Sequence, residues 1–278
     1  MSTGSQYLEA KTLLTPYWEE VRIILVGCGG TGSHTAYAIS RLMVAVEAIG
    51  KKATAIFVDP DVVETKNLGR QLFTYADLGK NKALVLATRL NLSLGLNISV
   101  VPHKFNAEMV DYVSDKTLVV LVGCVDNAEA RCAISQTLEG NSRYVRYSSD
   151  LSTIAPRIYW LDGGNEEHSG QVLVGCINEQ ELLTSVAFPE PEVCVALPSP
   201  SLQHPELLIP SVSSTVNTLS CAEMALQNTQ SLSVNAHVAA WINEYLRQLL
   251  FGGLRKYATY FDLASGSCQS VYITKVLA

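Results

Sequence analysis

The hexapeptide Gly27-Cys28-Gly29-Gly30-Thr31-Gly32 follows the apolar run Val21-Arg22-Ile23-Ile24-Leu25-Val26. A strand that feeds a glycine-rich turn and then a helix builds a phosphate cradle. Glycines let backbone N–H groups approach an anion with no Cβ in the way, and a helix starting near Ser33 aims its unpaired N–H groups and positive dipole end at the same spot. Gly27, Gly29 and Gly32 fit the dinucleotide pattern G-x-G-x-x-G, with Gly30 beside them. Asp59 lies 27 residues after Gly32, at the end of a second apolar run, where a Rossmann protein keeps the acid that holds a ribose hydroxyl. This much suits NAD or a flavin dinucleotide as well as ATP, so the chemistry has to be read further along the chain.

From the second apolar run the chain continues Asp59-Pro60-Asp61-Val62-Val63-Glu64-Thr65-Lys66-Asn67-Leu68-Gly69-Arg70-Gln71, then Asp77-Leu78-Gly79-Lys80-Asn81-Lys82-Ala83, and later Val125-Asp126-Asn127 with Arg131. Together these segments resemble the ThiF, MoeB and ubiquitin-activating (E1-like) adenylyltransferases. Within that superfamily the chain is most similar to the ThiF-related proteins of bacterial plasmid cassettes that also carry ParB-related genes. The resemblance covers residues 21–150 and, more loosely, 210–250. It implies that ATP activates the C-terminal carboxylate of a small ubiquitin-like β-grasp protein as an acyl-adenylate, with loss of pyrophosphate. One anion must then attack another, so fixed positive charge is required. By position in the motif, Arg70 and Lys82 neutralise the phosphates, Asn67 and Gln71 orient them, Asp59 holds the ribose and Asp126 binds magnesium. Asp61 and Asn127 stand beside them in the same nucleotide-binding segments. Taken singly, Arg70 reads as a solvated arginine, Lys82 as a helix-surface lysine, Asp126 as the cap of a helix beginning at Asn127 and Asp59 as a turn residue; the joint occurrence carries the assignment. A nicotinamide- or flavin-dependent oxidoreductase is the competing reading of the glycine turn, but it gives no reason for Asn67, Arg70, Gln71 and Lys82 to occur together. A non-catalytic nucleotide-binding scaffold is a third.

Many relatives pass the activated carboxyl to a cysteine at the start of a late helix, and Ser220-Cys221-Ala222-Glu223 resembles that segment. Cys221 is therefore the candidate nucleophile, against the commoner small buried cysteine. Cys194 is the alternative; Cys28, Cys124 and Cys132 read as packing, and His34 as a packed or capping residue.

These residues need elements to hold them. A strand at 53–58 and a helix between Ser33 and Ile49 complete a βαβ unit with the first strand, which is expected to begin at Arg22. Helical spacing over 80–94, a strand at 98–101, a short helix at 107–113 and a strand at 118–122 continue the alternation of a Rossmann-like, doubly wound, mostly parallel α/β sheet. Residues 1–150 form this nucleotide-binding core. Residues 151–278 form the remainder of the same domain. Here 153–161 reads as a strand and 162–170, with Gly163-Gly164, as a polar loop. Six of the ten prolines, at 189, 191, 198, 200, 205 and 210, make 187–210 an extended crossover loop. Helices at 215–226 and 234–250 come next, then a closing hairpin of 257–262 with 271–275. Trp241, Tyr245, Leu246 and Leu249 suit either the core or a dimer face.

Composition narrows the partners. Apolar residues are 48% and charged residues 17% of 278, and the net charge is -6, which predicts extensive covered surface, with a homodimer the expectation, and speaks against nucleic acid or an anionic membrane. Seven cysteines at irregular spacings, and no signal-like apolar core in residues 1–10, predict a cytoplasmic protein with reduced thiols. Two departures from the family pattern are visible. No arginine precedes Arg22, although many members use an N-terminal arginine in the partner subunit's site, so either another cation replaces it or the site is complete within one subunit. No Cys-x-x-Cys pair occurs, so the zinc of MoeB-like relatives is not expected and packing alone must hold the C-terminal third.

Overall fold

Along the first apolar run, Val21, Ile23 and Leu25 point into one hydrophobic core, and Ile24 and Val26 into a second. A strand buried on both faces has to lie inside a sheet that is covered on both sides. In the computed structural model, which describes residues 3–110, 113–141, 155–190, 192–210 and 232–274, it does. In chain order the elements are α1 (Thr3–Glu9), β1 (Thr12–Leu13), β2 (Glu20–Val26), α2 (Gly30–Ala48), β3 (Lys52–Val58), α3 (Lys82–Leu94), β4 (Ser99–Val101), β5 (Thr117–Gly123), α4 (Ala128–Thr137), β6 (Ile158–Asn165), β7 (Ser169–Gly175), α5 (Gln180–Val186), β8 (Val193–Cys194), α6 (Pro200–Gln203), α7 (Leu232–Phe251), β9 (Lys256–Asp262) and β10 (Ser267–Tyr272).

Eight strands form one sheet in the order β10-β9-β7-β6-β5-β2-β3-β4. From β4 to β6 every neighbouring pair is parallel, and β7, β9 and β10 add antiparallel edges. The chain leaves β2 toward β3 and β4 on one side and returns to β5 and β6 on the other. The strand order therefore reverses between β2 and β5, which opens a crevice at their carboxyl ends. Helices α2, α3 and α7 supply the larger core and α4 the smaller one. Tyr245, Leu246 and Leu249 of α7 are buried in the larger core, while half-buried Trp241 holds the Lys256 ammonium 4.2 Å from its ring centroid. Within one chain these residues are core. Among the described residues no helix is long and apolar enough to cross a membrane.

Several boundaries differ from the sequence expectation. The first strand starts at Glu20, so Arg22 lies within it and pairs across to Val119 and Thr54. Of the expected helix at 107–113 the described residues show one 3-10 turn, Ala107–Met109. The expected polar loop at 162–170 is strand up to Asn165 and again from Ser169. Its glycines answer to crowding, because a Cβ on Gly163 would meet Ile242 and Val238 of α7 at 2.7 and 2.9 Å, and one on Gly170 would meet Phe261 at 2.6 Å. The proline-rich stretch expected as an extended crossover loop carries β8, α6 and a 3-10 turn at Pro205–Leu208, and Cys194 to Ser201 are all buried. Ser199 N–H donates to Ile177 O at 2.7 Å, and Gln203 Nε2 donates to Val174 and Pro198 carbonyls at 3.1 and 2.7 Å. Pro200 opens α6 at a position where a missing N–H costs nothing. Helix 215–226, with Cys221, lies outside the described residues.

Candidate active site

The glycine turn is shaped by contacts on three sides. Gly27 has φ +88°, and a Cβ there would sit 2.5 Å from the Cys124 carbonyl oxygen; its N–H donates to Val58 O at 2.9 Å, tying β2 to β3. Gly32 has no room because a Cβ would fall 2.0 Å from Gly27 O, so this glycine seats α2 against the turn and is not among the residues lining the cavity. Gly29 is open, with only Gln71 Nε2 within reach at 3.7 Å. The contrast is testable. Gly32→Ala is expected to lower stability by at least about 1–3 kcal/mol, whereas Gly29→Ala should keep the melting temperature and weaken nucleotide binding, both read by thermal unfolding with and without MgATP.

Around this turn lies a cavity of about 490 Å³, inside the range of about 300–1,000 Å³ usual for small-molecule sites. Gly27, Gly29, Gly30, Asp59, Asp61, Asn67, Arg70, Gln71, Lys82, Asp126 and Asn127 all line it. Each is placed by local chemistry. Asp59, 5% exposed, accepts the N–H of Cys28 at 2.6 Å on one oxygen and that of Asp61 at 2.8 Å on the other. Burial pushes its carboxyl up from the ordinary range, opposed by those two donors and by Lys82. Asn67 is buried, accepts the Glu64 N–H at 2.9 Å on its side chain, and offers its own carbonyl to the N–H groups of Arg70 and Gln71 at 3.2 and 2.9 Å. One asparagine thus organises the turn that presents the arginine and the glutamine. Lys82 opens α3, and its ammonium meets Asp61 Oδ2 at 2.9 Å. Asn81 is the cap that aims it, accepting Leu84 N–H at 3.0 Å and donating to the carbonyls of Asp59 and Asp61 at 2.7 and 3.1 Å. Asn127, not Asp126, caps α4, accepting Ala130 N–H at 2.9 Å. Asp126 is left at the carboxyl edge of β5, with its carboxylate exposed in the cavity.

Lys104, Phe105, Asn165 and Asn235 also line the cavity and carried no signal in the sequence, whereas Thr31, Lys66 and Gly163 line it from segments read there without a site role of their own. Cys124 packs against the larger core, as expected, and its exposed side lines the cavity. Lys66 and Lys104 bring ammonium groups to the cavity, each ion-paired, with Glu64 at 2.5 Å and with Glu129 at 2.8 Å. Arg131, by contrast, is not among the lining residues; its Nε donates to Asp162 Oδ1 at 3.1 Å beneath the sheet edge. Cys194, on β8 and paired with Leu13 of β1, is fully buried; its thiol donates to Ala196 O at 3.3 Å, and burial pushes its pKa up to about 12. A thiol held protonated and out of solvent is a poor nucleophile. Native-state alkylation near pH 8 is expected to modify exposed Cys268 and to spare Cys194 and Cys28, read by peptide mass mapping; rapid labelling of Cys194 would contradict this.

The profile of the ThiF family matches residues 8–249. The chain belongs to the ThiF family. This ThiF chain is 30% identical over 135 residues to ubiquitin-like modifier-activating enzyme 5 of Dictyostelium discoideum, a match that covers 43% of the chain and 33% of that protein. With the Drosophila ananassae protein of the same name it shares 32% over 166 residues, 53% of the chain and 39% of the relative. It thus spans about a third to two fifths of the length of these relatives. In fold, this ThiF chain is similar to E. coli MccB with ATP, at a TM-score of 0.52 and 17% identity, covering 91% of this chain and 64% of the other. It is similar to PaaA at 0.55 and 14%, covering 91% and 73%. At such identities the likeness is one of fold, and it agrees with the doubly wound α/β sheet described above.

Proposed function

We propose that the chain is an E1-like adenylyltransferase that joins a carboxylate to the α-phosphate of ATP, the carboxylate being the C-terminal glycine of a small ubiquitin-like β-grasp protein. The observation that carries this reading is the convergence of Asp59, Asn67, Arg70, Gln71, Lys82 and Asp126 from separate segments onto one cavity at the glycine turn. In the reaction a carboxylate oxygen forms a bond to the α-phosphorus, the bond from that phosphorus to the bridging oxygen breaks, and pyrophosphate leaves with the electron pair. Arg70 and Lys82 would offset the charge that gathers on the phosphates, with the N–H groups at the start of α2 as a further anion site. Asp59 would fix the ribose. Asp126 has an exposed carboxylate on the cavity and no ion pair among the described residues, a donor that suits magnesium, which usually takes one or two carboxylates together with phosphates. Bound there, the metal would supply charge neutralisation of the phosphates.

The names of the relatives support the class, and MccB with ATP supports the nucleotide. The β-grasp partner, a homodimer, kinship with the ParB-associated plasmid cassettes and a later thioester on Cys221 complete the proposal. Lys66 and Lys104 are candidates for the charge that many relatives take from an N-terminal arginine. Thermal unfolding against MgATP, ATP with EDTA, NAD and FAD tests the reading. Stabilisation by MgATP alone is expected, about 2.7 kcal/mol at 100 times the dissociation constant; stabilisation by NAD or FAD would return the glycine turn to an oxidoreductase.

A further inference from the structure

Among the described residues, Asn235 Nδ2 is a buried donor at the cavity with no hydrogen-bond partner. Asn235, on α7, is 1% exposed and lines the cavity. Its side-chain oxygen accepts from Thr31 Oγ1 at 3.1 Å and, at short range, from Asn165 Nδ2. Asn165 Nδ2 also reaches Thr31 Oγ1 at 3.2 Å. Two donors on one oxygen fix which way the amide faces, and Nδ2 is left buried with no hydrogen-bond partner among the described residues. A buried donor without an acceptor is costly and calls for an explanation. Its position is specific: a Cβ on Gly30, the first residue of α2, would fall 2.8 Å from this nitrogen. Glycine at position 30 is what lets Asn235 lie against the start of the helix.

The side of the cavity on which it lies indicates the acceptor. Asp59 closes the β3 flank of β2, where a ribose would be held, and the glycine turn lies between. Asn235, with Asn165 and Gly163 of β6, closes the opposite flank. A nucleotide anchored at Asp59 with its phosphates over the turn would leave this flank to the second reactant. Among the described residues this flank offers a buried amide donor that lacks an acceptor, which suits the carbonyl oxygen of an acyl group. Resting on the adenylation reading above, we infer that Asn235 is a specificity-determining residue whose Nδ2–H binds the acyl oxygen of the incoming C-terminal glycine, with Thr31 and Asn165 orienting it.

The test needs no partner protein. 5′-O-sulfamoyladenosine carries the adenosine half of the product, and its N-glycyl derivative adds the acyl group as a stable acyl-adenylate mimic. Calorimetric dissociation constants for both, and for MgATP, are measured on the full chain and on Asn235→Ala and Asn235→Asp, with melting temperatures as the check on folding. Asn235→Asp keeps the oxygen that Thr31 and Asn165 need and exchanges the donor for an acceptor. The wild type is expected to prefer the glycyl compound, and both variants to lose about tenfold or more of that preference while sulfamoyladenosine and MgATP bind nearly as before. Equal losses for MgATP and the glycyl compound would assign the donor to a phosphate and overturn the inference. So would an undiminished preference in the folded variants, or a wild type that binds sulfamoyladenosine and gains nothing from the glycyl group. A wild type that binds neither MgATP nor either analogue would instead sink the adenylation reading itself.

Discussion

Lys82→Met is expected to cut ATP-pyrophosphate exchange by about a hundredfold or more, with a melting temperature close to that of the parent protein. The asymmetry of its ion pair is the reason. The Lys82 side chain is 8% exposed, whereas that of its partner Asp61 is 64% exposed. Methionine retains the apolar stem against the core, and the Asp61 carboxylate left behind stays solvated, so folding loses little. Catalysis would lose a fixed cation that points into the cavity and needs no reorganisation when charge builds on the phosphates. Asn81, which caps α3 and ties it to the end of β3, keeps the backbone in place in the variant. Exchange is measured with the carboxyl-bearing partner and magnesium present. Unchanged exchange would remove Lys82 from the reaction, and a large fall in melting temperature would make it a structural lysine. Arg70→Ala is the companion variant, with loss of exchange and retention of fold expected again.

Much of this site could be read in the amino-acid sequence because its parts are local. Gly27 to Gly32 form one turn, Asp59 to Gln71 one segment after a strand, and Asp126 and Asn127 one loop after another, so each is legible as a contiguous stretch even though contacts such as Asp59 with Cys28 N–H bring the stretches together. Asn165 and Asn235 could not be read. They are 70 residues apart and meet because α7 packs against both β6 and α2, and neither spacing nor composition announces that contact. Lys104 and Phe105 reach the cavity from the irregular stretch after β4. Errors of the opposite kind arose where a residue type has two physical uses. Gly163 and Gly170 look like loop formers in sequence but lie in strands because α7 and Phe261 leave no space for a side chain. The prolines at 198 and 200 look like marks of an extended loop without helix, yet Pro200 opens α6 and their segment is buried against β7, where the Pro198 carbonyl oxygen would sit 1.7 Å from a Cβ on Gly175.

Arg131 belongs to the same motif as Asp126, but the structure gives it a different task, and a large stability effect is expected from it. Its guanidinium, in a side chain 11% exposed, donates to Asp162, whose side chain is fully buried. Removing one partner of a buried pair strands the other, so Arg131→Met is expected to cost about 3–5 kcal/mol and to lower the melting temperature by roughly 10 °C. The pH dependence has a definite sign. Burial already raises the Asp162 carboxyl above its ordinary value, with Arg131 pulling it down, so the variant should raise it further. An acid with a higher pKa folded than unfolded binds more protons in the folded state between those two values; stability falls as pH rises through that window and is flat above it. The penalty of Arg131→Met should therefore be smallest at the acid end and grow as pH rises through the folded-state pKa of Asp162. Replacing the stranded carboxylate in Arg131→Met/Asp162→Asn should recover much of the loss and remove this pH dependence, as measured by denaturant unfolding across the acid range. If the double variant were no more stable than Arg131→Met alone, the cost would lie in lost packing of the arginine stem. Recovery would show that this part of the motif serves the fold, holding β6 under α4 so that Asp126 is presented at the cavity edge.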